Sequence, residues 1–222
     1  MQAAEAPEEF AEHEAQYIPG AEKSVAVAAA SAAAIAAALD FLPQPCYTKA
    51  TMRTIINKPK NKSGLIRAIR NLFEHRALWM YLLLDEARKK GLAPEDFAPA
   101  AIKRCGLYQG GAYAENGSAT SLKLLRKRLF TGVGKLIFEM KIRRCTDDNL
   151  DVDFHYCPLV SAWQKQGCAG KDLANLCEYA MCGDRGIAES FGCDLDLVKT
   201  IAQGNGVCEI RFRRRETVVS AC

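Results

Sequence analysis

The sequence predicts an α+β protein in which a helical N-terminal half is followed by a four-stranded antiparallel sheet covered by helices. From Leu65, apolar residues recur at i, i+3, i+4 and i+7, the period of an amphipathic helix. From residue 136 the period falls to two, which is typical of half-buried strands. An Asn-Gly step at residues 205–206 then indicates a second strand pair near the end of the chain.

Composition excludes several classes of protein. The chain has 222 residues, of which 49% are hydrophobic and 25% charged, so it is neither disordered nor collagen-like. A net charge of +4 is too small to make nucleic acid the expected partner. None of the ten cysteines is spaced C-x-x-C, and we expect them to be buried thiols, ligands or a nucleophile rather than disulfides.

We expect three segments along the chain. Residues 1–45 form an acidic tail and an Ala-rich helix that lies at the periphery, residues 46–134 a helical part, and residues 135–222 an α+β part that binds ligand and carries catalysis. The longest apolar run, Val25 to Leu39, is shorter than the roughly 20 residues of a membrane span. The acidic start has the wrong charge for a secretory signal, so the sequence predicts a cytoplasmic protein without a membrane segment.

Three helices are predicted in the helical part. The first follows Ser63 as N-cap and ends at Gly91, with the apolar face Leu65, Ile66, Ile69, Leu72, Phe73, Met80, Leu83, Leu84 and Ala87 turned to the core. The second starts near Pro94 and ends by Gly106, before a loop marked by Gly110, Gly111 and Gly117. A short basic helix at 119–130 ends at Gly132 and Gly134.

The α+β part alternates strand pairs with helices. We expect antiparallel strands at 136–144 and 152–156, joined by a turn. Helices follow at 158–166, 171–182 and 185–191, separated by glycines. The last strands, 195–203 and 207–214, form a hairpin around Gly204-Asn205-Gly206, with Cys208, Ile210 and Phe212 facing inward.

His155 and Cys157 stand where a strand leads into a helix. Unpaired N–H groups and the positive end of the helix dipole at that point would lower the pKa of the Cys157 thiol. The alternative is that Cys157 is a small core residue and His155 faces solvent.

Further candidates follow in the same half. Asp184 is either the N-cap of the next helix or a general acid or base, or the orienter of a nucleophile, and Cys177 is a candidate thiol in the helix before it. Cys208 opens the last strand after a glycine turn, where the backbone can approach a ligand, and the alternative is a buried strand cysteine. The gaps between the cysteines lack the close ligand pairs of zinc sites, so we expect no cofactor, with zinc kept as an alternative.

Several motifs in order resemble the L-2-amino-thiazoline-4-carboxylic acid hydrolase-like family. They are Glu74–Ala87 with Lys90-Gly91, Phe154–Trp163 with Gly167, Leu176-Cys177, Asp184, Thr200–Gly204 and Cys208. The resemblance covers roughly residues 50–213, and the C-terminal part is more distantly similar to 4-vinyl-reductase-type ligand domains. Where the family often has Gly-Asp, this chain has Gly204-Asn205, and an amide cannot act as a base.

The resemblance implies a hydrolase that opens a C–N bond of a small cyclic amidine or thiazoline-type carboxylate. Such a reaction needs a nucleophile, a proton donor and a cation for the carboxylate. The residues assigned to these tasks are Cys177, Asp184, Cys157 and His155 for catalysis, and Cys208, Asn205 and Arg185 for substrate binding. The alternative is a non-catalytic sensor or carrier with a thiol-lined pocket for a small molecule or a metal. We expect a small-molecule substrate and no nucleic-acid or membrane partner, and homo-oligomerisation stays open.

Overall fold

The structure is a computed structural model that describes residues 55–114 and 121–215. The predicted acidic tail and Ala-rich helix lie outside the described residues. Within this part, no helix is both long and apolar enough to cross a bilayer.

Helices dominate the first half of the described chain and flank the strands in the second. Their bounds are α1 Gly64–Lys89, α2 Pro94–Ala114, α3 Leu122–Leu129, α4 Gly132–Phe138, α5 Pro158–Lys165 and α6 Gly170–Ser190. The strands are β1 Met140–Cys145, β2 Asn149–Phe154, β3 Cys193–Lys199 and β4 Cys208–Arg214. The strands form one antiparallel sheet in the order β1-β2-β4-β3. The predicted α+β class and four-stranded antiparallel sheet are therefore confirmed.

The sheet has one apolar and one charged face. Alternate residues such as Val152 in β2 and Phe212 in β4 are fully buried in the main core. On the other face, Asp153 accepts hydrogen bonds from Arg143 Nε at 2.6 Å and Arg211 Nη1 at 3.0 Å. This alternation is the period-two pattern that predicted the strands, and it confirms that Cys208, Ile210 and Phe212 face inward.

Helix α1 begins and ends as the sequence predicts, but its apolar residues occupy two faces. Ser63 is the N-cap residue, and Gly91 beyond the end has φ +77°. The inner face packs against α5, where Trp163 Nε1 donates to the Ala77 carbonyl at 3.0 Å. The prediction was wrong for three residues assigned to the core, because Leu65, Leu72 and Leu83 are exposed.

Helix α2 continues past Gly106, where the sequence predicted its end. A Cβ on Gly106 would lie 1.9 Å from the Gly183 carbonyl oxygen, and one on Gly186 would lie 2.5 Å from the Lys103 carbonyl oxygen. The glycines therefore allow the backbones of α2 and α6 to approach closely. Gly110 serves the same contact, since a Cβ there would lie 2.5 Å from Ser190 Oγ. The sequence alone predicts helix ends at such glycines, because the residues that they pack against are distant in the chain.

Two further predicted boundaries were wrong. Gly183 does not separate two helices, since α6 runs without a break from Gly170 to Ser190. Gly132 does not stop a helix but opens α4, which takes up residues 136–138 of the predicted first strand. The chain turns into β1 at Glu139, whose φ of +51° is left-handed.

The β3–β4 connection is longer than the predicted two-residue turn. A short 3₁₀ helix, Ile201–Gln203, follows Thr200, whose hydroxyl accepts from the Gln203 N–H at 3.2 Å. The Gln203 side chain accepts in turn from the Thr200 N–H at 3.1 Å, which completes a capping box. The strands still pair antiparallel as predicted.

Candidate active site

Three thiols from different elements interact with one another. Cys157 precedes the first residue of α5, Cys177 lies in α6, and Cys208 is the first residue of β4. Charge on Cys157 acts on the pKa of both other thiols, and charge on Cys208 acts on that of Cys177. The fold thus brings together three cysteines that are far apart in sequence.

Cys157 occupies the helix N-terminus that the sequence predicts. Its thiol receives the backbone N–H groups of Leu159 and Val160, which lower its pKa, but burial has the larger effect and raises the pKa to about 11. The predicted lowered pKa is therefore wrong. At the surface, two N–H donors would stabilise a thiolate. In the interior, the thiolate loses its hydration, and this loss outweighs the stabilisation by the two N–H groups.

The other two thiols are also shifted towards the protonated form. Burial raises the pKa of Cys208 to about 12, although its sulfur accepts the Ile201 N–H at 3.2 Å. Burial, followed by the neighbouring Cys157 and Cys208, raises the pKa of Cys177 well above its usual value. All three are thiols rather than thiolates at neutral pH.

Asp184 is a carboxylic acid within α6, seven residues after Cys177 on the same continuous helix. Its position excludes the predicted alternative of an N-cap. Burial raises the pKa of Asp184 to about 6, against the opposing effects of the Arg76 and Arg185 guanidinium groups. Its charge also raises the pKa of Cys157 and Cys177. The carboxyl group therefore belongs electrostatically to the thiol cluster, which we define as Cys157, Cys177, Cys208 and Asp184.

The remaining predicted site residues have other neighbours. Arg185 pairs with Glu178 at 2.7 Å, in addition to its effect on Asp184. The Asn205 side-chain amide donates to the Thr200 carbonyl at 3.1 Å and so closes the β3–β4 connection.

His155 lies in a different electrostatic environment from the thiol cluster. Its Nε2 is buried without a hydrogen-bond partner, and burial and then Lys141 lower its pKa. Asp153, Lys60 and Arg143 also act on it, and these groups lie on or beside the charged face of the sheet.

Sequence reasoning missed Asn57, which holds the backbone of Cys157. Its Nδ2 donates to the Cys157 carbonyl at 2.7 Å, and its Oδ1 accepts the Cys157 N–H at 2.9 Å. An asparagine in an extended segment, a hundred residues from its partner, gives no local signal. Arg76 was missed for the same reason, since it acts on Asp184 across two elements.

A cavity of about 550 Å³ is lined by residues that lie close in sequence to the thiol cluster. Leu173 and Ala174, which line it, lie one helical turn before Cys177, and Ala202 follows the residue that donates to Cys208. Its polar lining includes Gln164, Cys168, Lys171 and Gln203. The cluster residues themselves do not line this cavity. A second cavity, of about 630 Å³, lies elsewhere and includes Lys60, Lys135 and Glu139.

Among residues 55–114 and 121–215, no group of three or more His, Cys, Asp or Glu side chains is arranged to hold a metal ion. The cysteines of this part of the chain are free thiols.

Together these features define an α+β protein with a thiol–carboxyl cluster built from β4, α6 and the start of α5. The family described as L-2-amino-thiazoline-4-carboxylic acid hydrolase matches residues 70–212, and the chain belongs to that family. This confirms the resemblance carried by the sequence motifs and indicates a hydrolase-like function.

Other comparisons are more distant. No curated protein matches the chain. Among solved structures, the chain is similar to a trafficking protein particle complex subunit 3 from Naegleria fowleri covalently bound to palmitic acid, with 14% identity and a TM-score of 0.42. That similarity covers 66% of this chain and 97% of the subunit.

Proposed function

We propose that the protein hydrolyses a C–N bond of a small cyclic amidine carboxylate of the thiazoline type, using a cysteine thiol and Asp184. The observation that carries the proposal is that the charge of Asp184 raises the pKa of both Cys157 and Cys177, and that Cys157 also acts on Cys177, which places the carboxyl group within electrostatic reach of two thiols. A thiol and a carboxyl group within reach of each other can supply a nucleophile and a proton acceptor.

Of the three cysteines, Cys157 has the surroundings that suit a nucleophile best. Its pKa of about 11 is lower than that of Cys208, and its sulfur receives two backbone N–H groups that also stabilise charge developing on it. A protonated thiol needs a base, and Asp184, with a pKa of about 6, is mostly ionised at pH 7. Cys177, on whose pKa both Cys157 and Asp184 act, is the alternative nucleophile.

The chemical step balances with these groups and one water molecule. The sulfur forms a bond to the amidine carbon, and the thiol proton passes to the Asp184 carboxylate. The ring C–N bond then breaks, and Asp184 returns the proton to the departing nitrogen. Water then adds its OH group to the carbon bound to sulfur, the bond between that carbon and the cysteine sulfur breaks, and the remaining water proton returns to the sulfur, so that the product leaves and the thiol is restored.

The cavity beside the cluster suits a small polar ring. Its volume of about 550 Å³ falls within the range of small-molecule sites, about 300–1,000 Å³. The Lys171 ammonium on its wall offers a counter-charge for a substrate carboxylate, a role that the sequence analysis gave to Arg185. Gln164 and Gln203 can donate to and accept from ring nitrogens.

The test is turnover of 2-amino-thiazoline-4-carboxylic acid by the full chain, followed by chromatography and mass spectrometry. We expect Cys157→Ser to lower kcat/KM by about 100-fold or more, because an alcohol is a far weaker nucleophile than a thiol. Cys193→Ser is the matched control, since Cys193 is buried in β3 and its thiol donates to the Ala188 carbonyl at 3.2 Å. Unchanged turnover in Cys157→Ala, Cys177→Ala and Asp184→Asn would contradict the proposal.

A second candidate is a carrier of small molecules, favoured by the raised pKa values of all three thiols. Protonated, buried thiols are poor nucleophiles and line a site without reacting. Calorimetry with the same compound separates the candidates. Saturable binding without product formation, weakened by Lys171→Glu, would favour the carrier.

A further inference from the structure

The outer face of α1 carries a continuous stripe of exposed apolar side chains. Leu65 is 70% exposed, Leu72 69%, Trp79 63% and Leu82 46%. The opposite face, with Ile66 and Leu84, is buried in the protein. A stripe on the outer face is therefore additional to what the domain needs for its own core.

The stripe is large enough to form a stable contact. With about 150–250 Å² for a whole large side chain, the exposed fractions of Leu65, Leu72, Trp79, Leu82 and Leu83 amount to roughly 600 Å². Patches larger than a few hundred Å² mark interaction sites on soluble proteins. Two such faces together bury roughly 1,200 Å², which reaches the lower end of specific interfaces.

The spacing of the stripe is that of a helix-pairing seam. Leu65, Leu72 and Trp79 are seven residues apart, and Ala68, His75 and Leu82 follow each of them by three. All six residues are exposed. Positions i and i+3 repeated every seven residues are the a and d positions of a coiled coil.

The stripe is complementary in side-chain size to the same stripe of a second copy when the two helices run antiparallel. In antiparallel pairs an a residue faces a d residue of the other helix, which sets Leu65 against Leu82, Ala68 against Trp79 and Leu72 against His75. The largest side chain thus meets the smallest. A two-fold axis repeats each contact, as an isologous dimer requires.

We propose that the protein forms a symmetric dimer in which α1 pairs antiparallel with α1 of a second copy, with Ala68 of each chain opposite Trp79 of the other. The occupant is a second copy because the large and small positions complement each other within one helix, in a register that places the two-fold axis between Leu72 and His75. The proposal is independent of the catalytic one, since Cys157, Cys177, Cys208 and Asp184 lie in other elements.

The first test is the mass of the full chain in solution, measured by light scattering and sedimentation over a concentration series. We expect twice the 24.4 kDa of one chain. Leu72→Lys should weaken the dimer about 100-fold, because each dimer then buries two ammonium groups near the two-fold axis, opposite His75, with no anionic partner in the seam. Tyr108→Glu is the control, since Tyr108 in α2 is 85% exposed and lies outside the stripe. A wild-type monomer at 100 µM overturns the proposal, as does a dimer that withstands Leu72→Lys.

The second test fixes the register. Ala68→Trp sets two indoles against each other and Trp79→Ala leaves a gap, so each variant should weaken the dimer at least tenfold. The double variant Ala68→Trp/Trp79→Ala exchanges large for small and should recover most of the lost affinity. Losses that simply add in the double variant would show that the two residues are not opposite each other, and would overturn the antiparallel register.

Discussion

Replacing Asp184 with asparagine should stabilise the fold while it removes turnover. The folded protein raises the pKa of Asp184 from 3.8 to about 6 because burial disfavours the charged carboxylate. Each tenfold change in proton affinity is worth about 1.4 kcal/mol, so ionised Asp184 costs up to about 3 kcal/mol of unfolding free energy at pH 7. The residue is partly exposed, which makes this figure an upper limit.

The sign follows from proton binding. Between pH 4 and 6 the folded state keeps the Asp184 proton and the unfolded state loses it, so wild-type stability falls as pH rises through this window. Asparagine does not titrate. The difference in unfolding free energy between Asp184→Asn and wild type should therefore grow from pH 4 to pH 7.

Urea unfolding under reducing conditions at pH 4, 5, 6 and 7 measures this difference. Asp153→Asn is a control of opposite sign. Burial raises the pKa of Asp153, but the hydrogen bonds from Arg143 and Arg211 outweigh it and the pKa is lowered. That variant should lose stability at pH 7 and approach wild type as pH falls below 4. If Asp184→Asn is less stable than wild type at pH 7, the carboxylate is a structural partner and our reasoning fails.

Three further outcomes follow from the structure. If Asp184 is the base, kcat/KM for the cyclic amidine should rise with pH through about 6, and a rise that persists in Asp184→Asn would refute that role. Gly106→Ala should lower the free energy of unfolding, followed by thermal unfolding, by about 3 kcal/mol or more, because its Cβ would meet the Gly183 carbonyl oxygen. Gly111→Ala in the same helix places its Cβ in open space and should raise the free energy of unfolding by up to about 1 kcal/mol. Arg70→Lys should lower the free energy of unfolding by about 2–4 kcal/mol. The buried Arg70 guanidinium donates to the Leu136 and Ile137 carbonyls at 2.9 and 2.8 Å and pairs with Glu139. An equal loss in Arg67→Lys, at an exposed position of the same helix, would contradict this reasoning.

Local periodicity was sufficient to predict the element types. The strands alternate because one face of the sheet is buried and the other is solvated, and this pattern is legible in β2 and β4 without any partner. The glycines could not be interpreted in the same way. Gly106 and Gly183 carry the same local signal as a helix stop, and only the approach of α2 to α6 shows that they are contact points.

The two faces of α1 illustrate a second limit. Leu65 and Leu84 both fit a helical apolar pattern, but one is exposed and the other buried. A sequence shows that a helix has an apolar arc, not how much of it the rest of the chain covers. Which part of the arc is covered depends on tertiary contacts, as does the pairing of Asn57 with Cys157.

The thiol cluster shows how environment decides between two opposing local effects. The helix start at Cys157 was predictable, and so was the direction in which its N–H groups act. The burial that reverses the result arises only in the folded chain, which also brings Cys177 of α6 and Cys208 of β4 within electrostatic reach of Cys157. A protonated thiol needs a base before it acts as a nucleophile, so in the proposed mechanism the burial that holds the proton on sulfur calls for an acceptor, the role proposed for Asp184. Because burial raises the pKa of Asp184 only to about 6, that carboxyl is still ionised at pH 7 and can take the proton.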